Sequence, residues 1–594
     1  MSSAHDVLLA GLEAAKNDFG PGASARTIEI LDQLNREEFS DAKSLLRFHE
    51  ALLFLRAFPR SRSLVRHIEG ILDRFHPRIE KLRDAGVDMD VFDDFDTSGV
   101  AGTTMQDTLS FEVARWLAWR LPRKVEIAWE DYDEERAMGS TWPRFIPLLA
   151  EDADVEANIP WRRWLDTARG RERDLDWLIR QFEQLPGTDR ERAELYDSLR
   201  LPLRWHLGNL KLSRTRNWSH PRTLYCHTEP LITRGQVSLA YELSRPAPRL
   251  TKLSRSEGEA VMRTIREVML VRYRELYGTT LGDPASVVRV DLASQREDSQ
   301  SEGRGVTIYL WNLPPVRRLP LRAYVAGFTL KNGVPINYIE AIGLCEWIEV
   351  GFNTFYTYRQ GETAWIYAHV LRALAAFTGA NTISVYPYQI GQNNDEAIDS
   401  GAFWFYRKLG FRCGRPDLEQ LARREEERIA ASREYRTPKK TLRRLAEAHV
   451  FYELGGDAGG SRRASRPAEM AGPWDTFSTR NIALRVNRRM AREFQGYAGK
   501  IREASVQHVS RALHLNPARW SLDEQRAFED WSLVLALIPD LGRWSAKEKR
   551  ELARLLRAQS GASEMRYLNL TQDHPRLRKE LLRLGSTGKQ PSRD

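Results

Sequence analysis

Between Ser286 and Leu344 the chain carries four strand-like runs, Ser286–Leu292, Val306–Leu310, Leu321–Leu330 and Ile336–Leu344. Lys331-Asn332-Gly333 joins the last two. Asn-Gly is the strongest short hairpin signal, because both residues accept the positive φ of a tight turn. An antiparallel meander is therefore expected in mid-chain, and an all-helical fold is excluded. Upstream, Ser254-Arg-Ser-Glu257 reads as a capping box opening a helix that runs to Gly278. Downstream come a strand over Trp347–Tyr358, a helix Thr363–Phe377 stopped at Gly379, a strand Thr382–Tyr386 and an amphipathic helix Ser400–Leu409. This order predicts an α/β domain over 246–416, a mixed, mainly antiparallel sheet with helices on both faces.

The flanks read differently. Apolar positions recur at helical spacing in Ser44–Phe58, Leu64–Phe75, Phe111–Leu121 and Leu175–Phe182. A strand-like run, Lys124–Trp129, interrupts them, and Trp116, Trp119, Trp129, Trp142, Trp161 and Trp164 are expected in a core. Residues 1–245 are thus a mostly α-helical N-terminal domain and 417–594 a helical C-terminal region. Within the latter, 455–473 (GGDAGGSRRASRPAEMAGP) has the composition of a linker. Ser521-Leu-Asp-Glu524 and Ser545-Ala-Lys-Glu548 are further capping boxes. A length of 594 residues suits about three or four domains.

Composition narrows the function classes. The excess of 90 basic over 81 acidic residues is small, and the signs are interspersed along helix-like runs. Such mixing reads as solvated helix faces, so nucleic-acid binding is not favoured. No run approaches the roughly 18 apolar residues of a membrane span, and the first residues lack a secretory pattern, so the expected address is cytoplasmic. Cys226, Cys345 and Cys413 are too scattered for a disulfide framework, and Cys226, His220 and His227 are too loose for zinc. Asp88–Asp96 reads as an acidic surface loop, since it lacks EF-hand spacing. Gly99–Gly102 lacks the lysine of a P-loop. No metal is expected.

The run Ser400-Gly-Ala-Phe-Trp-Phe-Tyr-Arg-Lys-Leu-Gly-Phe-Arg412 is more specific. Ala402, Phe405, Tyr406, Lys408, Leu409, Gly410 and Phe411 match an AxxFYxKLGF signature. With the strand, glycine-containing loop, helix and strand before it, this stretch resembles the GNAT superfamily of acyl-CoA-dependent N-acyltransferases, over some 150–170 residues of the central domain. The resemblance implies acetyl-CoA or another acyl-CoA as co-substrate and a small-molecule or peptidyl amine as acceptor. It also implies that Tyr406 protonates the departing thiolate, and that main-chain groups of Trp347–Tyr356 pair with pantetheine.

Elementary chemistry supports a phosphate site at Tyr358, Arg359, Gln360, Gly361, Glu362, Thr363 and Ala364. There a strand turns into a helix, whose free amides and dipole favour an anion, and Arg359 adds charge. The family loop has Gln or Arg where Tyr358 stands, and Gly or Ala where Thr363 stands. An ordinary helix cap at Thr363 is the other reading of this loop. For proton abstraction, alternation along Trp347–Asn353 puts Trp347, Glu349, Gly351 and Asn353 on one face. Glu349 beside an indole is the first candidate base, with Glu340 and Glu346 behind it; the bland alternative is a Glu349–arginine pair. Tyr406 has a packing role as its alternative. Cys345 reads as a buried structural thiol and His369 as a helix histidine without catalytic work.

Three functions remain open on the sequence. The first is an acyl-CoA-dependent N-acyltransferase. The second is a non-catalytic GNAT-like scaffold, with a protein partner or a second copy held by the helical flanks. The third is an RNA- or tRNA-directed protein using Arg480, Arg485, Arg488 and Arg489.

Overall fold

The computed structural model describes residues 4–145, 161–273, 281–292, 303–454 and 472–586. The chain is mixed α/β, rich in helix, with open and mostly antiparallel sheets. It divides into two compact units. One comprises Met1–Pro230, Met262–Thr280 and Asn332–Pro335; the other comprises Leu231–Val261, Leu281–Lys331 and Ile336–Asp594. The linker 455–473 lies outside the described residues except for its last two, as does the end of the helix expected to reach Gly278.

The first unit is helical around apolar side chains such as Leu45, Phe48, Leu52, Leu64 and Ile68, all on the faces that the spacing predicts. It also holds a small sheet, β1 (Thr104–Thr108), β2 (Val125–Ile127) and β3 (Pro202–His206), with β3 central and antiparallel to both. Of its tryptophans, Trp142 is in the core, Trp116, Trp129, Trp161 and Trp164 pack partly against it, and Trp119 is 72% exposed. Trp119 corrects the expectation of six core tryptophans, because it falls on the outer side of the helix Phe111–Arg120. Asp88 and Asp94 accept from the amides of Asp90 and Asp96 at 2.9 and 2.8 Å, so the acidic run is spent on local turns.

The second unit is built on nine strands: β4 (Thr251–Lys252), β5 (Val288–Leu292), β6 (Val306–Asn312), β7 (Ala323–Lys331), β8 (Val334–Leu344), β9 (Trp347–Thr354), β10 (Thr382–Val385), β11 (Arg412–Cys413) and β12 (Val450–Glu453). Their spatial order is β11-β12-β10-β9-β8-β7-β6-β5-β4. β9 and β10 run parallel, and the helix Thr363–Thr378 makes the crossover between them. Gly379 ends that helix at φ 71°, a left-handed cap that glycine adopts without a Cβ penalty. Asn332 and Gly333 have φ of 49° and 78°, the two positive values of the expected hairpin turn between β7 and β8.

Three boundaries differ from expectation. β9 stops at Thr354, and Tyr356–Tyr358 form a single 3-10 turn. Ser400–Leu409 is not one helix: Asp395–Asp399 and Ala402–Arg407 are separated by Gly401 at φ 67°, a left-handed value that breaks the run. The sheet also recruits β12 from beyond residue 416, and this strand pairs antiparallel with both β10 and β11.

The last helices carry the capping boxes read at Ser521 and Ser545. They attach to the sheet through specific polar ties. Arg578 and the Trp474 indole both donate to Glu346, the latter at 2.8 Å. Glu564 accepts from the amides of Tyr324 and Leu313 at 3.0 and 3.3 Å, and burial raises its carboxyl to about 7 against the pull of Arg318.

Candidate functional site

β9 is paired on one side with β8 along its whole length, from Trp347 to Thr354. On the other side its ladder with β10 covers only Trp347, Ile348 and Glu349. Beyond Glu349 the two parallel strands part, and Val350–Thr354 overhang without a strand partner on that edge among the described residues. Glu349 stands where they part.

Register explains the partner that Glu349 finds. Ser384 of β10 lies opposite Glu349, and the next residue, Val385, lies opposite Val450 of β12. Across β10 the residue level with Glu349 is Phe451, through Ser384, and His449, two residues before Phe451, reaches Glu349 diagonally across that one intervening strand. Its Nε2 is 2.7 Å from Glu349 Oε2, with the two side chains 27% and 15% exposed. A carboxylate accepting from Nε2–H leaves Nδ1 of a neutral imidazole as the proton acceptor. Tyr386 sits edge-on to the imidazole at 5.4 Å. On the same face of β9 the Trp347 indole donates to Ser384 Oγ at 2.9 Å and stacks on Trp474 at 5.2 Å.

Glu349, His449 and Tyr386 open on a cavity of about 770 Å³ between the sheet and the helices Thr479–Phe494, Ala498–Leu513 and Leu522–Leu535. Its apolar wall includes Leu321, Trp347, Phe477, Ile482, Val486 and Val534. Its charged wall adds Arg322, Arg480, Arg502 and Asp530. Arg502 and Asp530 pair at 3.2 Å. Burial lowers the pKa of Arg322, and the charge of Glu349 raises it in part.

The other expected carboxylates are elsewhere employed. Glu340 accepts from the Tyr324 hydroxyl, and burial raises its pKa despite that bond. For Glu346, hydrogen bonds from Arg578 and Trp474 outweigh burial and lower the pKa, so it is a fixed anion joining sheet to helix. The bland alternative for Glu349 is also replaced: its hydrogen-bond partner is a histidine.

The expected phosphate loop has a definite orientation. Tyr358, Glu362 and Ala364 are buried, Gly361 and Thr363 are half-buried, and Arg359 and Gln360 are exposed. Glu362 pairs with Lys331 Nζ at 3.1 Å and with Arg304, and accepts from the Ile232 amide at 3.2 Å. Its negative charge is thus neutralised inward, away from any anion at the helix start. Among the described residues no side chain caps the first turn of Thr363–Thr378, because the N-cap residue Glu362 turns its carboxylate to Lys331 and Arg304, while the Thr363 hydroxyl donates back to the Arg359 carbonyl at 3.2 Å. These residues fit a pyrophosphate: the first-turn amides are uncapped, and Arg359 lies beside them, held by Glu396.

Tyr406 is 5% exposed, in an aromatic cluster with Tyr367, Phe405 and Phe411 at 5.2–5.7 Å. Burial raises its pKa, so it holds its proton at neutral pH. It does not line the cavity that Glu349 lines. The neighbouring Tyr367 hydroxyl is buried with no hydrogen-bond partner among the described residues. Burial lifts the Cys345 thiol to about 12 and drops His369 to about 3, which leaves a poor nucleophile and a neutral imidazole. Among the described residues no group of three or more His, Cys, Asp or Glu could hold a metal ion, and no helix is long and apolar enough to cross a membrane.

His449 and Arg322 were not singled out in the sequence. His449 lies 100 residues from Glu349 in sequence, so only strand order brings them together. No family model matches the chain, and no curated protein or solved structure matches it either.

Proposed function

We propose that this protein is an acyl-CoA-dependent N-acyltransferase whose acceptor amine enters the cavity at Glu349 and His449. The observation that carries the reading is the parting of β9 from β10 at Glu349, with the uncapped helix Thr363–Thr378 as their crossover. A thioester could lie along the Val350–Thr354 overhang, its pyrophosphate at the first-turn amides beside Arg359 and Gln360. The Glu349–His449 pair takes the proton from the attacking amine, either on the carboxylate or on Nδ1 of a histidine that the carboxylate orients. The amine nitrogen forms the new amide bond as the thioester C–S bond breaks. Tyr406, held protonated by burial, is the proposed proton donor to the leaving thiolate. Positioning contributes much of the rate in a direct transfer of this kind.

The test is thiol release from acetyl-CoA across a panel of amines, with Glu349→Gln as control. Amine-dependent CoA release that the variant loses supports the reading. A folded wild type that neither releases CoA nor is stabilised by CoA sinks it.

A further inference from the structure

The Arg322 guanidinium has no hydrogen bond or ion pair to any described residue, although it is half-buried at the cavity wall within the field of Glu349. Burying an arginine is costly unless an anion compensates it, and the Glu349 carboxylate is taken by His449. Arg480, on the same wall, is exposed and has no side-chain partner among the described residues. The cavity wall holds two carboxylates, Glu349 and Asp530, and three guanidiniums, Arg322, Arg480 and Arg502.

We infer that the acceptor is an apolar amino acid, its amine at Glu349–His449, its carboxylate on Arg322 and its side chain against Trp347 and Phe477. The inference rests on the acyltransferase reading for the amine and on Arg322 for the carboxylate. The one half-buried guanidinium on the wall without a partner among the described residues, Arg322, calls for a single anionic group. Amine and carboxylate belong on one molecule because Arg322 and Glu349 line the same cavity. A planar guanidinium suits a carboxylate bidentately, which makes Arg322 a specificity determinant rather than a catalytic residue.

The discriminating pair of probes is L-phenylalanine and 2-phenylethylamine, which differ only by the carboxylate. In wild-type protein, kcat/KM for acetyl transfer to phenylalanine should exceed that for phenylethylamine by about 10-fold or more, as expected for a charge-assisted bond. Arg322→Met should remove that preference by raising KM for phenylalanine, and Arg322→Lys should restore part of it. Equal use of the two amines by the wild type overturns the inference, even if Arg322→Met fails to fold. Calorimetric binding without acetyl-CoA separates the two claims. Phenylalanine binding lost in Arg322→Met, with no CoA released from any amine, upholds the carboxylate site and refutes acyl transfer. CoA release with no carboxylate preference does the reverse.

Discussion

Replacing Glu362 with glutamine removes a carboxylate that pairs with both Lys331 and Arg304, all three buried. The wild-type ammonium is already strained: burial draws it from 10.5 down to about 8, although Glu362 pulls it upward. Breaking a buried ion pair from one side costs about 3–5 kcal/mol, because the remaining charge stays out of water. Glu362→Gln should therefore weaken the local structure by about 3 kcal/mol at neutral pH. That cost should shrink as pH rises. A lysine with a folded pKa below its unfolded one takes up a proton on unfolding between the two values, so stability climbs with pH through that window. In the wild type the window runs from about 8 to 10.5. Without Glu362 its lower edge moves below 8, and the variant regains about 1.4 kcal/mol per pH unit where the wild type is flat. Hydrogen exchange on peptides from β7 and from Thr363–Thr378, corrected for intrinsic rates on either side of neutrality, reads both quantities. A cost under about 1 kcal/mol, or one independent of pH, would refute the reasoning.

Other outcomes follow from the same geometry. Glu349→Gln should lower kcat by about 100-fold or more with little change in amine KM, as steady-state CoA release will show. Tyr406→Phe removes a buried hydroxyl from an aromatic cluster and should move stability by no more than about 1 kcal/mol; a kcat unchanged beside that result removes Tyr406 from the mechanism. Glu346 has a folded pKa below the ordinary value of 4.5, so its contribution is present above that value and is lost as pH falls through the depressed one. Glu346→Gln should cost about 1–3 kcal/mol at neutral pH and converge with the wild type in acid, measured by urea unfolding. A Cβ on Gly585 would stand 2.2 Å from the Phe477 ring. Gly585→Ala should cost about 1–3 kcal/mol and raise amine KM by tilting that cavity wall, whereas an unchanged KM would mean Phe477 does not shape the site.

Much of the frame was legible because its signals are local. Asn332-Gly333, the boxes at Ser254, Ser521 and Ser545, and Gly379 each act through the two to four residues around them, and each forms as read. β1 escaped notice because Thr-Met-Gln-Asp-Thr has no apolar alternation; it is ordered by pairing with β3, about a hundred residues on. At the site, alternation along β9 singles out Glu349, but nothing in the sequence near it announces His449 or Arg322. Those two arrive through strand order and a loop, which no local periodicity encodes. Glu362 was read as part of an anion loop for its position, while its burial against Lys331 depends on a neighbouring strand.

The strand order also carries a consequence for how the protein is made. β12 is last in sequence among the strands but interior in space, wedged between β10 and β11. Until a ribosome has released Glu453, β10 has an open edge ready to pair with another chain. Over the same interval Glu349 waits without His449. Maturation of the site and concealment of a sticky strand are then a single event, so a chain halted at residue 416 should be both inert and prone to aggregate.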